Sequence, residues 1–417
     1  MILARLALRS LLARRLTVGL TVLSIALSVA LFLGVEKLRT GAKASFADTI
    51  SGTDLIMGAR SGGVQLLLYS VFRIGNATNN VTWESYADIA ARPEVAWAVP
   101  ISLGDSHRQF RVMGTTNGYF DHYRYRGGRA LAFAAGGRLD DLFDAVVGAD
   151  VAATLGYALG EPIVVAHGLA SFADHADHPF RIAGILAKTG TPVDRTVIVS
   201  LEAIEAIHVD WQSGAQRPGA ATPADRLRAI DLMPNAITAA MIGVNSRLQV
   251  FQLQRAINDY AEEPLMAVLP GIALQELWSI VGIAETALLG VSAMVVVTAL
   301  LGMAAMIFAG LNERRREMAI LRAVGARPAV ILTLLLAEAV AMAVAGAGFG
   351  VGLLYAGLVI GQPVLDAAYG LYLPVAGLTL RDWGLLGATV LAGAAVSVAP
   401  ALRAYRLSLA DGMTVRV

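Results

Sequence analysis

Residues 286–311 read TALLGVSAMVVVTALLGMAAMIFAGL and run straight into 312–328, NERRREMAILRAVGARP. The first stretch holds no charged residue and is interrupted only by Thr and Ser. A helix needs about 20 predominantly apolar residues to cross about 30 Å of hydrocarbon, so this stretch reads as a membrane span. The second stretch carries Glu313, Arg314, Arg315, Arg316 and Glu317. Their charges are too costly to follow the span into lipid, so the chain leaves the membrane there.

Three more stretches pass the same test. Residues 16–35 follow Arg5, Arg9, Arg14 and Arg15; residues 329–360 contain one carboxylate, Glu338; residues 383–398 are the shortest and run on toward Pro400 and Ala401. The first stretch has a rival reading as a cleaved signal peptide, with Ser28-Val29-Ala30 as a loose cleavage site. Its apolar run exceeds the roughly 7–15 residues of such a segment, which favours a retained span. Composition agrees with a membrane protein: 56% of the 417 residues are apolar and only 16% charged, against about 25% charged in an ordinary soluble domain. A net charge of +1 supplies no basic field for nucleic acid. The absence of cysteine excludes disulfides, thiolate metal sites and cysteine nucleophiles.

Arginine placement sets the expected orientation. The N-terminus, the link with Arg314, Arg315, Arg316, Arg322 and Arg327, and the tail with Arg403, Arg406 and Arg416 all read as cytoplasmic. The expected order is a cytoplasmic N-terminus and first span (1–35), an exported α+β domain with stalk helices (36–278) and a second span (279–311). A cytoplasmic helix (312–328), a third span (329–360), a short outer loop (361–382), a fourth span (383–402) and a cytoplasmic tail (403–417) follow.

Within 36–278, residues 38–50 and 272–285 read as helices continuous with the first and second spans. Strands are expected at 54–57, 95–100, 109–113, 145–147, 162–165, 180–186, 196–199 and 239–244. Helices are expected at 82–92, which Pro93 stops, and at 201–207 and 248–261. The Gly, Ala, Pro and Gln of 211–235 read as a mobile surface loop.

No Walker A sequence, G-x-S-x-G elbow, H-E-x-x-H or G-x-G-x-x-G after a strand occurs, so no recognised hydrolytic site is encoded. All six histidines lie in the exported domain. His167, His175, Asp177 and His178 are candidate metal ligands through neutral imidazole and carboxylate; a solvated polar loop is the competing reading. Glu338 reads as a buried structural carboxylate or as part of a proton or substrate path. Gly346 and Gly350, with Gly348 and Gly352, allow close helix approach. In 312–328, Met318, Ile320, Leu321 and Val324 form an apolar stripe at helical spacing. Glu313, Arg316, Glu317 and Arg322 flank it, and Gly325 ends it before Pro328. Such a helix either lies on the membrane or docks a protein. Its mixed charge favours docking, because lipid-binding helices are enriched in Lys and Arg.

At this segment the chain resembles the MacB/FtsX-like permease family of ABC transporters, which includes the lipoprotein-releasing permeases. ERRREMAILRAVGAR at 313–327, Leu335 with Glu338, and APALRA at 399–404 followed by Leu407-Ser408 carry the likeness. In the exported domain VMGT at 112–115, Tyr119-Phe120, GGR at 127–129 and VGADV at 147–151 add to it. The resemblance implies four transmembrane helices and a two-lobed periplasmic α+β domain of the MacB type, in a multi-pass protein of the bacterial inner membrane. It implies a non-enzymatic subunit with no cofactor of its own, ATP and Mg²⁺ being bound by a separate cytoplasmic ABC ATPase. The docking surface would be Glu313, Arg314, Arg315, Arg316, Glu317, Met318, Ile320, Leu321, Arg322, Val324 and Gly325. It further implies a homodimer, or a pseudo-dimer with a related permease, set in membrane lipid. ATP-driven motion would reach the outer domain for export, extraction or mechanotransmission, with a periplasmic or lipoprotein partner and no nucleic acid. The alternative from another class is a membrane-anchored periplasmic sensor or scaffold without an ATPase, binding metal through the histidines.

Overall fold

The computed structural model describes residues 14–168, 175, 177–212, 215–216, 222–313, 320, 322–369 and 375–406. The chain divides into two compact units, the second built on Lys43–Val281. Four helices, α1 (Arg15–Asp48), α2 (Pro270–Glu313), α3 (Pro328–Tyr369) and α4 (Leu380–Arg406), are long and apolar enough to cross a membrane.

In the helical unit the close contacts fall at small residues. A Cβ at Gly346 of α3 would lie 2.6 Å from Ile25 Cγ2, and one at Gly350 would lie 2.7 Å from the Ala26 carbonyl oxygen of α1. A Cβ at Gly393 of α4 would come 3.1 Å from Ala343 of α3 and 3.4 Å from Leu300 and Met303 of α2. Apolar lipid tails offer helices no hydrophobic drive to associate, so this close backbone approach supplies the packing. The fourth helix starts earlier than the apolar run alone indicates. Asp382 Oδ2 accepts from the Thr379 backbone N–H at 2.8 Å, and Thr379 Oγ1 accepts from the Asp382 N–H at 3.2 Å. This reciprocal capping box fixes the start at Leu380, and Pro400 is carried inside the helix. The third helix continues to Tyr369, so the first part of the stretch read as the 361–382 loop is helical instead.

The second unit is an α/β domain around an 11-stranded mixed sheet. Its strands are β1 (Leu55–Ala59), β2 (Val95–His107), β3 (Phe110–Thr115), β4 (Phe133–Gly136), β5 (Asp144–Val147) and β6 (Pro162–Ile163). They continue with β7 (Ala166–His167), β8 (Phe180–Leu186), β9 (Thr196–Ser200), β10 (Ala239–Val244) and β11 (Leu265–Val268). The order is β11-β1-β10-β2-β3-β9-β5-β8-β4, with β7 on β2 and β6 on β8. The β3–β9 and β5–β8 pairs are parallel and the other pairs antiparallel.

Side chains alternate between the two faces of a strand, and both faces here are covered. Ile56, Val146 and Ile198 join one core with Leu66, Leu67 and Tyr69 of the helix Gly63–Ser70. Leu55 and Met57 join a second core with Ile89, Leu253 and Ile257. Val147, Val197 and Val199 join a third with Val151, Ala203 and Ile207. The first core also takes Ala273, Leu274 and Trp278 from the start of α2 and Phe46 from the end of α1. Phe46 and Trp278 meet edge to face at 5.5 Å, and Lys43 Nζ sits 5.3 Å from the Trp278 ring centroid. Phe46 and residues 273–278 are therefore part of the hydrophobic core of the α/β unit.

The segment 211–235, expected as a surface loop, is partly structural. Trp211–Gln212 pairs with Ala215–Gln216, a short helix forms at Ala224–Leu227, and Leu227 and Leu232 are buried in the third core. Two isolated leucines anchor it, a pattern too sparse to register as periodicity.

Candidate functional site

The link between α2 and α3 is described at its two ends. Glu313 closes α2. Arg314, Arg315, Arg316, Glu317, Met318 and Leu321 lie outside the described residues. Beyond them a helical turn is held by the Val324 N–H on the Ile320 carbonyl at 3.0 Å, and Gly325 ends it with φ +93°, a left-handed conformation natural to glycine. Ile320 and Val324 are 63% and 83% exposed. Four residues apart, they share one face of the turn. Arg322 Nη2 donates to the Tyr405 carbonyl at 2.8 Å, which ties this turn to the end of α4.

Glu338 is buried within the helical unit, and Gly346 and Gly350 are the contact points with α1 described above. A charged layer joins three of the helices. Glu36, 3% exposed, accepts from Arg39 at 2.8 and 3.0 Å and pairs with Arg381 at 3.3 Å. Arg39 also reaches Glu285 of α2 at 3.5 Å, and Lys37 pairs with Asp382 of α4 at 3.1 Å.

The α/β domain gathers the histidines differently from their order in the chain. His167 and His175 come together, but Asp177 and His178 do not join them; His178 stacks on Phe143 with centroids 5.4 Å apart. The other members are Asp105 and His208, with all four potential donor atoms within 4.8 Å of one another. Antiparallel register sets His167 of β7 directly opposite Asp105 of β2, so both side chains share one face of the sheet. His208 is the last residue of the helix Leu201–His208. His175 is placed by its backbone N–H, which donates to the Val165 carbonyl at 2.8 Å.

His167 Nδ1 lies 3.1 Å from His208 Nε2 and 3.3 Å from Asp105 Oδ1; His208 Nε2 lies 3.8 Å from the same oxygen. His208 Nδ1 donates to the Ile204 carbonyl at 2.7 Å, which leaves the Nε2 lone pair facing the cluster. Trp211 covers one side, its ring centroid 4.4 Å from that of His175. Asp105 and His175 are buried, His208 is half-buried, and His167 is exposed. Burial pushes the His175 imidazolium down to about 4, and His208 and His167 beside it add to the effect. Burial also raises the Asp105 carboxyl, opposed by His208 and His167. His107, by contrast, is a satisfied core histidine, with ring nitrogens at 2.6 Å from the Val164 carbonyl and 2.7 Å from the Tyr157 hydroxyl. Asp105, His208 and Trp211 had escaped the sequence reading; strand register and a helix end bring them in.

A family model described as a MacB-like periplasmic core domain matches residues 18–259, and one described as an FtsX-like permease C-terminal matches residues 289–409. Among solved structures, the chain is similar to the periplasmic region of MacB from Actinobacillus actinomycetemcomitans. Identity is 11%, over 55% of this chain and 94% of that one, with a TM-score of 0.34. It is also similar to the extracellular domain of the noncanonic ABC-type transporter YknZ from Gram-positive bacteria, at 14% identity over 52% of this chain and 99% of that one, with a TM-score of 0.30. No curated protein matches the chain. The two family models together take in the α/β domain and the helices that follow it, and the chain belongs to the MacB/FtsX-like permease family of ABC transporters.

Proposed function

We propose that this chain is the membrane subunit of an inner-membrane ABC transporter. It docks a separate cytoplasmic ATPase through 312–328, works as a pair of permeases, and passes ATP-driven motion to its periplasmic domain. The observation that carries the reading is the turn at 320–325. Ile320 and Val324 stand exposed on one face while Arg322 holds the turn to α4 through Tyr405. An exposed apolar pair on a braced turn suits the anchor of an interface, whose energy concentrates in a few buried side chains. Transmission is supported by the unbroken course of α1 and α2 and by the seating of Phe46 and Trp278 in the domain core. ATP and Mg²⁺ belong to the partner; this subunit contributes no hydrolytic chemistry.

The test is affinity purification of the full-length chain from its native membrane, with identification of a co-purifying ABC ATPase and measurement of ATP hydrolysis. Ile320→Asp with Val324→Asp places two carboxylates where apolar anchors are needed. Good anchors are worth about 2 kcal/mol each, or roughly 30-fold in affinity, so ATPase recovery collapses. Arg322→Ala has the smaller effect of a rim charge. Wild-type recovery and hydrolysis in the double variant would overturn the docking assignment. Failure of any ATPase to accompany the wild-type chain would favour the sensor or scaffold reading.

A further inference from the structure

We propose that Asp105, His167, His175 and His208 form a binding site for one late first-row divalent cation, with Zn²⁺ the ion best suited to the donors. The proposal stands on the α/β domain alone and is independent of ATPase docking. Three imidazoles and one carboxylate are a zinc-type set; Mg²⁺ and Ca²⁺ call for oxygen ligands. The spacing agrees. Bonds of about 2.0–2.1 Å in a tetrahedron put neighbouring donors about 3.3 Å apart, and three of the separations are 3.1, 3.3 and 3.8 Å. His175 supplies the fourth donor, within 4.8 Å of the others.

Two further observations point to a ligand. The Ile204 carbonyl takes the Nδ1 proton of His208, so Nε2 presents a lone pair to the centre. Backbone carbonyls commonly orient metal-bound histidines in this way. Asp105 Oδ1 is buried with only the long, poorly aligned contact to His167, and both ring nitrogens of His175 are buried without a well-formed hydrogen bond. Buried polar atoms normally find partners. A proton shared among His167, His208 and Asp105 would serve three of the atoms, and the Ile207 backbone beside His175 can serve only one of its two ring nitrogens. Trp211 shields one side, and exposed His167 leaves a route of entry. The donors come from β2, β7, the segment at His175 and the helix Leu201–His208, so a bound ion cross-links separate parts of the domain.

The experiment uses the full-length chain in detergent, stripped of metal by a chelator. Zn²⁺ is titrated against a chromophoric competitor, and Co²⁺ serves as the spectroscopic probe. Expected are about one Zn²⁺ per chain, tetrahedral d–d bands with Co²⁺, and a higher melting temperature with Zn²⁺. His167→Gln and His208→Gln each weaken binding at least about 10-fold, since changes to outer-shell partners alone cost that much. His178→Gln, outside the cluster, leaves binding unchanged. The exposed position of His167 keeps the test readable if the His208 variant misfolds. Failure of the wild-type chain to bind Zn²⁺ stoichiometrically would overturn the proposal, as would binding unaffected by His167→Gln.

Discussion

Gly350 and Gly352 lie two residues apart on α3, yet the structure assigns them opposite responses to a single methyl. A Cβ at Gly350 would stand 2.7 Å from the Ala26 carbonyl oxygen and 2.9 Å from Val29 Cβ, whereas one at Gly352 meets nothing within 4 Å. Carbon and carbonyl oxygen approach to about 3.3–3.6 Å without strain, so Gly350→Ala must part α1 and α3 by about 0.6–0.9 Å. The obstacle is backbone and a β-branched Cβ, which cannot swing aside. A gap of about 0.5–1 Å forfeits a quarter to a half of each dispersion contact, and overpacking of this kind costs about 1–3 kcal/mol. Alanine returns roughly 0.5–1 kcal/mol by restricting the unfolded chain. The net expectation for Gly350→Ala is a loss of about 1–2 kcal/mol; for Gly352→Ala it is no loss or a small gain. Equilibrium unfolding in mixed detergent micelles measures both. Equal responses from the two variants would refute the assignment of Gly350 to the α1 contact. So would a Gly350→Ala chain that unfolds like wild type.

Glu36→Gln removes the carboxylate that joins Arg39 and Arg381, and thermal unfolding in detergent should show a loss of about 1–2 kcal/mol. That figure is discounted from the roughly 3–5 kcal/mol of a fully buried pair because Arg381 is 61% exposed; an unchanged melting temperature would show that the layer is not structural. Leu227→Ala empties a fully buried position in the third core and should cost about 2–5 kcal/mol. Hydrogen exchange at the amides of 226–228 in the wild-type chain should likewise be slowed, and exchange there at the rate of a free loop would contradict this packing.

The elements legible in the sequence are those whose cause is local. Four apolar stretches stand out by length alone. Thr82 before a helix shows its role in its spacing, its Oγ1 accepting from the Ser85 N–H at 3.3 Å. The strand Phe180–Leu186 alternates in burial as its sequence suggests. The short helix Gly63–Ser70 and the strand Leu265–Val268 carry too few residues to show a period, and neither was foreseen. Pairings were invisible for another reason: Leu55 meets Ile242 and Ile56 meets Val268, partners remote along the chain. The histidines show the same limit. Asp177 and His178 drew attention because they adjoin His175, but the constellation is set by register and by a helix end, which brings in Asp105 and His208. Proximity in sequence is a poor guide to ligands on a sheet, where neighbours along a strand face opposite ways.

The charged layer also explains where the apolar stretches begin and end. Helices rise about 1.5 Å per residue; α1 therefore climbs about 31 Å from Arg15 to Glu36, and α4 the same from Asp382 to Arg403, close to the hydrocarbon thickness of a bilayer. Glu36, Glu285 and Asp382 are thus held at one boundary by Arg39, Lys37 and Arg381. A lone carboxylate at that depth would draw the helix toward water. Paired ones fix the depth of three helices together, so a shift in any of them disturbs ion pairs to the others. Beyond the layer, α1 continues to Asp48 and α2 is already helical from Pro270. Those extensions carry Phe46 and Trp278, the side chains that enter the sheet's core.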